Sequence, residues 1–410
     1  MTSDYESMTR EERLKRASRH LFSMGLQDAA DSLCRANMKY GLAKIHHVQH
    51  SLGLNPSATF IGAPDSTITR NVRRWKSGFG YGGKLSWGDG MEKLIILDSM
   101  PNACGMLVGG LEEAPPMDKL VESVNTVLSN EEVLDNIRIE WDFAAGNHFI
   151  DIYEVRPLSE EFDFDCRYVF IVHGSVPELK GDNESKFGFG LYSHKSKLLG
   201  EMAEEVSTPY GPARILTDDG ASQYLGLNDF ACELSKKKRR RAAELLFDDF
   251  TEISNPIHQG LINMNEHILG CQDTKTAENR ILPITLRSDL PAYLAVGNTN
   301  LDEDSIEHLG FTKRSEKYAV KDRLLNANIL PHGGGYKYPS MLGIKRVMET
   351  ETGTRYYVTE HATGQESEKV FSSPRELEFT YRGQEVLWKA VELRLCSVVA
   401  RLMPRVILKV

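Results

Sequence analysis

The chain has 410 residues, of which 41% are hydrophobic and 26% are charged, and its formal net charge is −9. This composition is that of an ordinary globular protein with enough residues to bury a large core. No apolar run approaches the roughly 18 residues of a membrane span, and we expect a cytoplasmic protein without a membrane partner. The negative charge argues against a protein that coats nucleic acid through overall charge, although a local basic patch can still bind phosphates.

The first part of the chain has the pattern of a helical pair. Apolar residues recur at irregular helical spacing between residues 1 and 52, where Gly25 and Gly41 are the only glycines. We therefore expect a helical appendage at residues 1–60 and one compact domain at residues 61–410. The expected fold class is α+β, with mixed β-sheets, surrounding helices and a central cleft.

Within the second region, short apolar runs alternate with helical patterns. The runs predict strands at residues 94–97, 141–155 and 168–172. Helical spacing predicts helices at residues 117–137, 221–247, 258–268 and 384–402. A loop is expected at residues 176–215 and a hairpin at residues 344–380.

A basic run lies inside the helix predicted at residues 221–247. Residues 236–241 are six consecutive lysines and arginines. Two interpretations remain open at this point: a solvated helical face, or a face that contacts phosphates.

A histidine precedes three consecutive glycines at His332-Gly333-Gly334-Gly335. Glycines leave backbone N–H groups accessible, which is how proteins form a concave nest for phosphate oxygens. A histidine beside such a nest can attack or bind a phosphoryl group. The alternative is a surface turn with a solvated histidine, because glycine clusters are common in loops.

One cysteine and three more histidines lie beside glycine, proline or strand ends. The six cysteines of the chain are scattered without a CxxC pair, so the sequence indicates neither a disulfide framework nor a zinc ribbon. Taken singly, each of these four side chains is more often structural than catalytic. Taken together, a thiolate and several imidazoles suit borderline metals such as Zn, Mn, Fe or Co. The four residues are Cys104, His148, His173 and His258.

Several short motifs occur in a fixed order along the chain. They are Gly78-Phe79-Gly80 with Gly82-Gly83, Cys104-Gly105-Met106, Gly146-Asn147-His148-Phe149, His173-Gly174-Ser175, Pro256-Ile257-His258-Gln259, His332-Gly333-Gly334-Gly335, and Ala400-Arg401-Leu402-Met403-Pro404 with Lys409. In this order the chain resembles the RtcB family of GTP- and manganese-dependent RNA ligases. These enzymes join RNA 3′-phosphate or 2′,3′-cyclic phosphate ends to 5′-hydroxyl ends.

The resemblance implies a role for each matching residue. Cys104 would bridge two Mn²⁺ ions, with His148 on one ion and His173 and His258 on the other. His332 would be the nucleophile that attacks the α-phosphorus of GTP. The residues implied in nucleotide binding are Asn147, Phe149, Asp151, Asn298, Gly333, Gly334, Gly335 and Lys409. The residues implied in RNA binding are Lys236, Lys237, Lys238, Arg239 and Arg240.

The implied function is therefore an RNA ligase of the tRNA-splicing and RNA-repair type, acting as a monomer through a histidine-GMP intermediate. Its implied partners are GTP, RNA with 3′-phosphate and 5′-hydroxyl ends, and an archease-type activator. Two alternatives stand beside it. One is a homologue that binds metal and nucleotide or RNA ends without ligation, and the other is a structural protein that reuses the fold.

Several positions depart from the family pattern. Pro101 stands where the family has a metal-binding Asp, for which Asp98 or Asn102 are the substitutes at hand. Tyr336 replaces the Arg of the histidine loop, and Lys337 is then the nearest substitute cation. These departures bear on the metal content and on the strength of triphosphate binding.

Overall fold

A computed structural model describes residues 5–143, 145–275, 280–298, 301–362 and 367–409. The α-helices within these ranges are α1 (Arg10–Arg19), α2 (Ala29–Ser51), α3 (Val72–Ser77), α4 (Met117–Ser129), α5 (Lys197–Met202), α6 (Asp218–Leu246), α7 (Glu303–His308), α8 (Thr312–Lys317), α9 (Lys321–Leu325) and α10 (Glu385–Glu392). Short 3₁₀ helices are at Leu97–Ser99, Pro177–Leu179 and Pro374–Glu376.

The strands of the described residues are β1 (Leu21–Ser23), β2 (Thr59–Ile68), β3 (Gly80–Ser86), β4 (Leu94–Ile96), β5 (Cys104–Leu111), β6 (Val133–Leu134), β7 (Ile137–Arg138), β8 (Phe149–Pro157), β9 (Tyr168–Gly174), β10 (Glu204–Val206), β11 (Ala213–Thr217), β12 (Thr251–Ser254), β13 (Ile257–Asn263), β14 (Glu266–Leu269), β15 (Cys271–Asp273), β16 (Ile281–Ile284), β17 (Ala292–Gly297), β18 (Ile329–Pro331), β19 (Tyr336–Lys337), β20 (Met341–Glu349), β21 (Arg355–His361), β22 (Glu368–Phe371), β23 (Thr380–Tyr381) and β24 (Cys396–Leu408).

The centre of the fold is a 12-stranded sheet in the order β1-β2-β3-β14-β13-β5-β9-β8-β24-β17-β16, with β12 paired to β5. β1 and β2 run parallel, whereas the neighbouring pairs from β2 onward are antiparallel. This mixed, mainly antiparallel arrangement with surrounding helices agrees with the predicted α+β class.

Helix α6 covers one face of this sheet and packs against β5, β9 and β13. Its buried apolar residues include Tyr224, Leu227, Ala231 and Leu234, at the three- and four-residue spacing of one helical face. The helix predicted at residues 221–247 is therefore confirmed. No helix among the described residues has both the length and the apolar character needed to cross a bilayer.

The N-terminal helices pack into the main hydrophobic core. Thr9 and Glu12 form a capping box at the start of α1, which satisfies free N–H groups there. Buried residues of α1 and α2, such as Ala17 and Leu33, belong to the same hydrophobic cluster as residues of β2, β3 and β4. The core is thus continuous across residue 60, and the expected domain boundary at that position stays a prediction.

One predicted helix is wrong and a second is too long. His258 does not begin a helix, because residues Ile257–Asn263 form β13 between β5 and β14. The helix predicted at residues 384–402 ends at Glu392, and Arg394 adopts a left-handed φ of 56° before β24 begins. Backbone pairing within the large sheet outweighs the local helical spacing in both segments.

The remaining predicted strands and helix are confirmed with shifted bounds. Strands are found at β4, β8 and β9, and the helix predicted at residues 117–137 is shortened to α4. The loop predicted at residues 176–215 is wrong in part, because this segment contains α5, β10 and the start of β11. The expected hairpin at residues 344–380 is part of a three-stranded sheet, β20-β21-β22.

Candidate metal centre

Four neighbouring strands in the middle of the large sheet carry the predicted cysteine and histidines at or beside their termini. Their order is β13-β5-β9-β8. Cys104 begins β5, His173 lies near the end of β9, His258 lies near the start of β13, and His148 directly precedes β8. Antiparallel pairing places the starts of β5 and of β8 beside the end of β9, and β13 and β5 pair through their first residues. Residues distant in sequence are thereby brought together.

Cys104, His173 and His258 form a compact triad whose ligand atoms all lie within 4.8 Å of one another. Cys104 Sγ lies 3.1 Å from His173 Nε2, and His173 Nε2 lies 3.3 Å from His258 Nε2. All three side chains are buried. Within the described residues, this is the one group of at least three Cys, His, Asp or Glu side chains close enough to hold a metal ion.

The donor atoms of this triad suit a cation. His173 Nδ1 donates to the carbonyl oxygen of Asn147 at 3.1 Å, so Nε2 carries the lone pair. Burial, reinforced by neighbouring positive charge, holds the pKa of His173 and of His258 well below the ordinary value, so both rings are neutral. Two neutral imidazoles and a sulfur that converge at these distances are a chemically sensible ligand set for a divalent ion.

His148 lies beside the triad but outside it. Its Nε2 is 3.3 Å from Cys104 Sγ, and its Nδ1 is 3.0 Å from Asp142 Oδ2 and 3.1 Å from the Asp142 carbonyl oxygen. Burial disfavours the charged ring, but the Cys104 sulfur and the Asp142 carboxylate outweigh burial and raise the pKa of His148 to about 10. Asp142 was not among the predicted site residues.

Asp142 is the centre of a buried polar network behind His148. Its Oδ2 accepts hydrogen bonds from Ser175 N at 3.0 Å and from Ser175 Oγ at 2.9 Å. Lys238 Nζ lies 3.4 Å from Asp142 Oδ1, 3.4 Å from Glu178 Oε2 and 2.9 Å from the Ser175 carbonyl oxygen. The network connects α6 to the segments that carry His148 and follow β9.

The predicted RNA-binding role of Lys238 and Arg239 is wrong, because both side chains are buried and bonded inside the protein. Arg239 donates to Ser235 Oγ at 2.6 Å, to Asn255 Oδ1 at 2.8 Å and to the Gly174 carbonyl oxygen at 3.3 Å. At the surface of α6 the other cations form ion pairs: Lys236 with Glu233, Lys237 with Asp135, and Arg240 with Glu252. For these three residues an RNA contact stays a prediction.

His332 follows β18 and lies against the triad. Its ring centroid is 4.5 Å from that of His258. Asp65 of β2 receives two hydrogen bonds from it, with Oδ2 3.0 Å from His332 Nδ1 and 3.3 Å from the backbone N. With Nδ1 bonded to Asp65, Nε2 is the ring nitrogen of His332 whose lone pair is available to react. The prediction did not include Asp65, which the fold places on a fully buried ten-residue strand.

The three glycines after His332 permit close backbone packing. An added Cβ at Gly333 would lie 2.7 Å from the Thr285 carbonyl oxygen, and one at Gly334 would lie 2.5 Å from the Arg382 carbonyl oxygen. Gly335 has a left-handed φ of 64°. The N–H of Gly334 donates to Thr285 O at 3.1 Å. The predicted phosphate nest therefore lacks the Gly334 donor in this conformation.

Arg382, not Lys337, is the cation that contacts the glycine loop. It is fully buried, pairs with both carboxylate oxygens of Asp28 at 2.7 Å and donates to the carbonyl oxygens of Asp65 and Gly334. Lys337 lies at the surface, 3.8 Å from Glu385. Because Arg382 uses its donors on the protein, its role is to hold the loop.

Several predicted nucleotide-binding residues are near the triad. Asn147 lies next to His148, and the ring centroid of Phe149 is 5.1 Å from that of His173. Lys409 Nζ donates to the Gly146 carbonyl oxygen at 2.7 Å, which places the end of the chain beside the loop before β8. Their contact with a nucleotide stays a prediction.

Asp151 lies on β8 in the same region. Burial raises the pKa of its carboxyl group to about 7, against the effect of hydrogen bonds from Tyr153 Oη at 2.8 Å and from Leu408 N at 3.3 Å. This carboxyl group therefore exchanges a proton near neutral pH.

Asn298 lies far from Asp151 along β24. It follows Gly297, which pairs with Cys396 at the start of β24, whereas Asp151 pairs with Ile407 near the other end of that strand. The Asn298 N–H donates to the Leu395 carbonyl oxygen, and the Asn298 carbonyl oxygen accepts a hydrogen bond from Thr274 Oγ1, just after the strand that pairs with β18. Its contact with a nucleotide stays a prediction.

No protein-family model matches the chain, and a search of curated proteins returned no match either. The resemblance to RtcB consequently rests on the motifs of the sequence.

Proposed function

We propose that this chain is an RNA ligase with an RtcB-like fold, which uses GTP to join a 3′-phosphate or 2′,3′-cyclic phosphate end to a 5′-hydroxyl end. The observation that carries the proposal is the contact between the Cys104-His173-His258 triad and His332. The ring centroids of His258 and His332 are 4.5 Å apart, and Asp65 fixes the other side of the His332 ring. A nucleophile beside a metal-ligand set is the arrangement that nucleotidyl transfer requires.

The first proposed step occurs at His332 Nε2. Its lone pair attacks the α-phosphorus of GTP, an N–P bond forms, and the bond to pyrophosphate breaks with its electron pair leaving on the pyrophosphate oxygen. Asp65 accepts the hydrogen bond from Nδ1–H and stabilises the positive charge that develops on the ring. Exclusion of water matters here, because water competes for the guanylate, and His332 is only 8% exposed.

A divalent ion on the triad would offset the negative charge on the α-phosphate during this step. The resemblance implies Mn²⁺, and one thiolate with two imidazoles also suits Zn²⁺ and Co²⁺. Asp151 and Lys409 are the proposed contacts of the guanosine. Both lie beside the loop that carries His148.

In the second proposed stage the RNA 3′-phosphate displaces His332 from the guanylate and becomes activated. The 5′-hydroxyl oxygen of the other RNA then attacks the 3′-phosphorus. Its proton goes to solvent, GMP leaves, and a phosphodiester remains. A 2′,3′-cyclic phosphate must first be opened by water to a 3′-phosphate.

The test is transfer of radiolabelled GMP from GTP to the purified protein with Mn²⁺, Zn²⁺ or Co²⁺ supplied separately. We expect an acid-labile label that depends on metal. His332→Ala should abolish it, whereas the matched control His308→Ala, at an exposed position, should keep it. If the unmutated protein takes up no label with any of these metals, the proposed mechanism is refuted.

A second candidate is a protein that binds metal and nucleotide or RNA ends without joining them. Pro101 and Tyr336 in place of the family Asp and Arg favour it, as does the use of the Gly334 N–H by Thr285. Joining of any 3′-phosphate RNA by the purified protein excludes this candidate. A purely structural protein predicts no metal at all, so elemental analysis distinguishes it.

A further inference from the structure

The resemblance implies two metal positions, one on each side of Cys104 Sγ, and in this chain the two positions have different numbers of protein ligands. On one side of Cys104 Sγ, His173 and His258 complete a set of three ligand atoms within 4.8 Å of one another. On the other side, His148 is the neighbouring imidazole, at 3.3 Å from the sulfur. A second ion on that side would need a further protein ligand, which the family supplies as the Asp that Pro101 replaces.

The two substitutes considered for that Asp are engaged elsewhere. Asp98 Oδ2 lies 3.6 Å from Lys44 Nζ and accepts a hydrogen bond from Arg214 N at 3.3 Å. Asn102 Oδ1 accepts a hydrogen bond from Cys104 N at 3.0 Å, within the turn that begins β5. Recruiting either oxygen as a metal ligand would break an existing contact.

Asp142 is the carboxylate closest to His148, but it faces the other ring nitrogen. Oδ2 lies 3.0 Å from His148 Nδ1 and also accepts both hydrogen bonds from Ser175, while Lys238 neutralises Oδ1 from α6. A carboxylate in this position orients an imidazole and does not coordinate an ion on its far side.

We propose that this centre holds one resident divalent ion, on Cys104, His173 and His258, and that His148 is a hydrogen-bonding neighbour of the Cys104 sulfur, positioned by Asp142. Three protein ligands leave a coordination position open for a phosphate oxygen, as catalytic zinc sites do. One sulfur and two nitrogens without a carboxylate select Zn²⁺ or Co²⁺ over Mn²⁺, which prefers oxygen ligands. The inference concerns the metal centre and does not depend on ligase activity.

The test is metal retention by the full chain after removal of metal with a chelator. The protein is loaded with Zn²⁺, Co²⁺ or Mn²⁺ in separate samples, dialysed and analysed for metal per chain. We expect one retained Zn²⁺ or Co²⁺ and weak retention of Mn²⁺. The Co²⁺ form should show a sulfur-to-cobalt charge-transfer band and the strong visible absorption of four-coordinate Co²⁺.

Variants distinguish the proposed metal ligands from His148, the proposed hydrogen-bonding neighbour of the Cys104 sulfur. His173→Ala should weaken Co²⁺ binding by at least about tenfold and diminish the charge-transfer band. His148→Gln should still bind one Co²⁺ with that band retained, and Asp142→Asn should also keep one ion. Far-ultraviolet circular dichroism identifies a variant that has not folded. For such a variant, a Zn²⁺ titration of the unmutated protein followed by native mass spectrometry decides the number of ions.

Two retained ions per chain in the unmutated protein, a preference for Mn²⁺, or loss of the ion in folded His148→Gln would each overturn the inference. GMP labelling is read separately. One retained Zn²⁺ without labelling supports the single-ion centre and refutes the ligase mechanism. Two retained Mn²⁺ with labelling refutes the single-ion centre and supports the ligase mechanism.

Discussion

Glu178 is a buried carboxyl group whose ionisation should govern the stability of the segment after β9. Burial raises its pKa to about 7, and the negative charge of Asp142 adds to this effect, while Lys238 opposes it. Lys238 is shared between both carboxylates, at 3.4 Å from each. One cation cannot fully compensate two buried anions, so Glu178 is favoured as a neutral acid.

The size of the effect follows from the shift. A rise from the ordinary value of 4.5 to about 7 corresponds to roughly 3 kcal/mol at about 1.36 kcal/mol per pKa unit. The folded state retains the proton to higher pH than the unfolded state does. The contribution of Glu178 to stability is therefore fully present below about pH 4.5 and is lost as the pH rises through about 7.

Glu178→Gln removes this titration and keeps the shape of the side chain. Relative to the unmutated protein, the variant should gain up to roughly 3 kcal/mol of unfolding free energy between about pH 5 and about pH 8. The measurement is urea unfolding at both pH values with a chelator present, so that bound metal does not contribute. Glu122→Gln, at an exposed position on α4, is the matched control and should show no such change. A stability difference for Glu178→Gln that is equal at both pH values would refute the reasoning.

Two further predictions concern glycines. Gly334→Ala places a Cβ 2.5 Å from the Arg382 carbonyl oxygen, so we expect a loss of about 1–3 kcal/mol in urea unfolding. Gly181→Ala is the matched control, because its added Cβ would lie 3.4 Å from the Lys195 carbonyl oxygen, an ordinary contact distance. Equal effects of the two substitutions would contradict the packing argument. Gly220→Ala, in the first turn of α6, meets Leu216 Cδ2 at 3.4 Å and should stabilise the protein by about 0.5–1 kcal/mol. A lowered melting temperature for Gly220→Ala would contradict the predicted stabilisation.

The sequence allows the triad to be predicted because its residues stand at the ends of apolar runs. The strand preceding His173 is a continuous apolar run, and Cys104 begins another. His258 was predicted in the right site but in the wrong element, since Leu261 and Ile268 match helical spacing as well as a hairpin. Asn263 and Asn265, at the turn between β13 and β14, are the local signal that favours the hairpin.

Burial of the basic run could not be predicted from local sequence. Lys238 and Arg239 lie inside because their partners come from distant parts of the chain, namely Asp142, Glu178 and Asn255. A run of six cations gives no sign of which members face the sheet until the helix is docked on it. The same holds for Asp65, which joins His332 only through the packing of β2 beside β18.

The partner of Nδ1 distinguishes the proposed nucleophile from the proposed ligands. His173 Nδ1 donates to a backbone carbonyl oxygen, which orients the ring but adds no charge, and His332 Nδ1 donates to the buried carboxylate of Asp65. A carboxylate stabilises the positive ring that forms when Nε2 bonds to phosphorus. A ligand needs the orientation alone, whereas a nucleophile that must later be a leaving group needs the charge as well. On the proposed mechanism, Asp65 therefore favours reaction at His332 over His173. His148 also faces a carboxylate, but its Nε2 lies against the Cys104 sulfur.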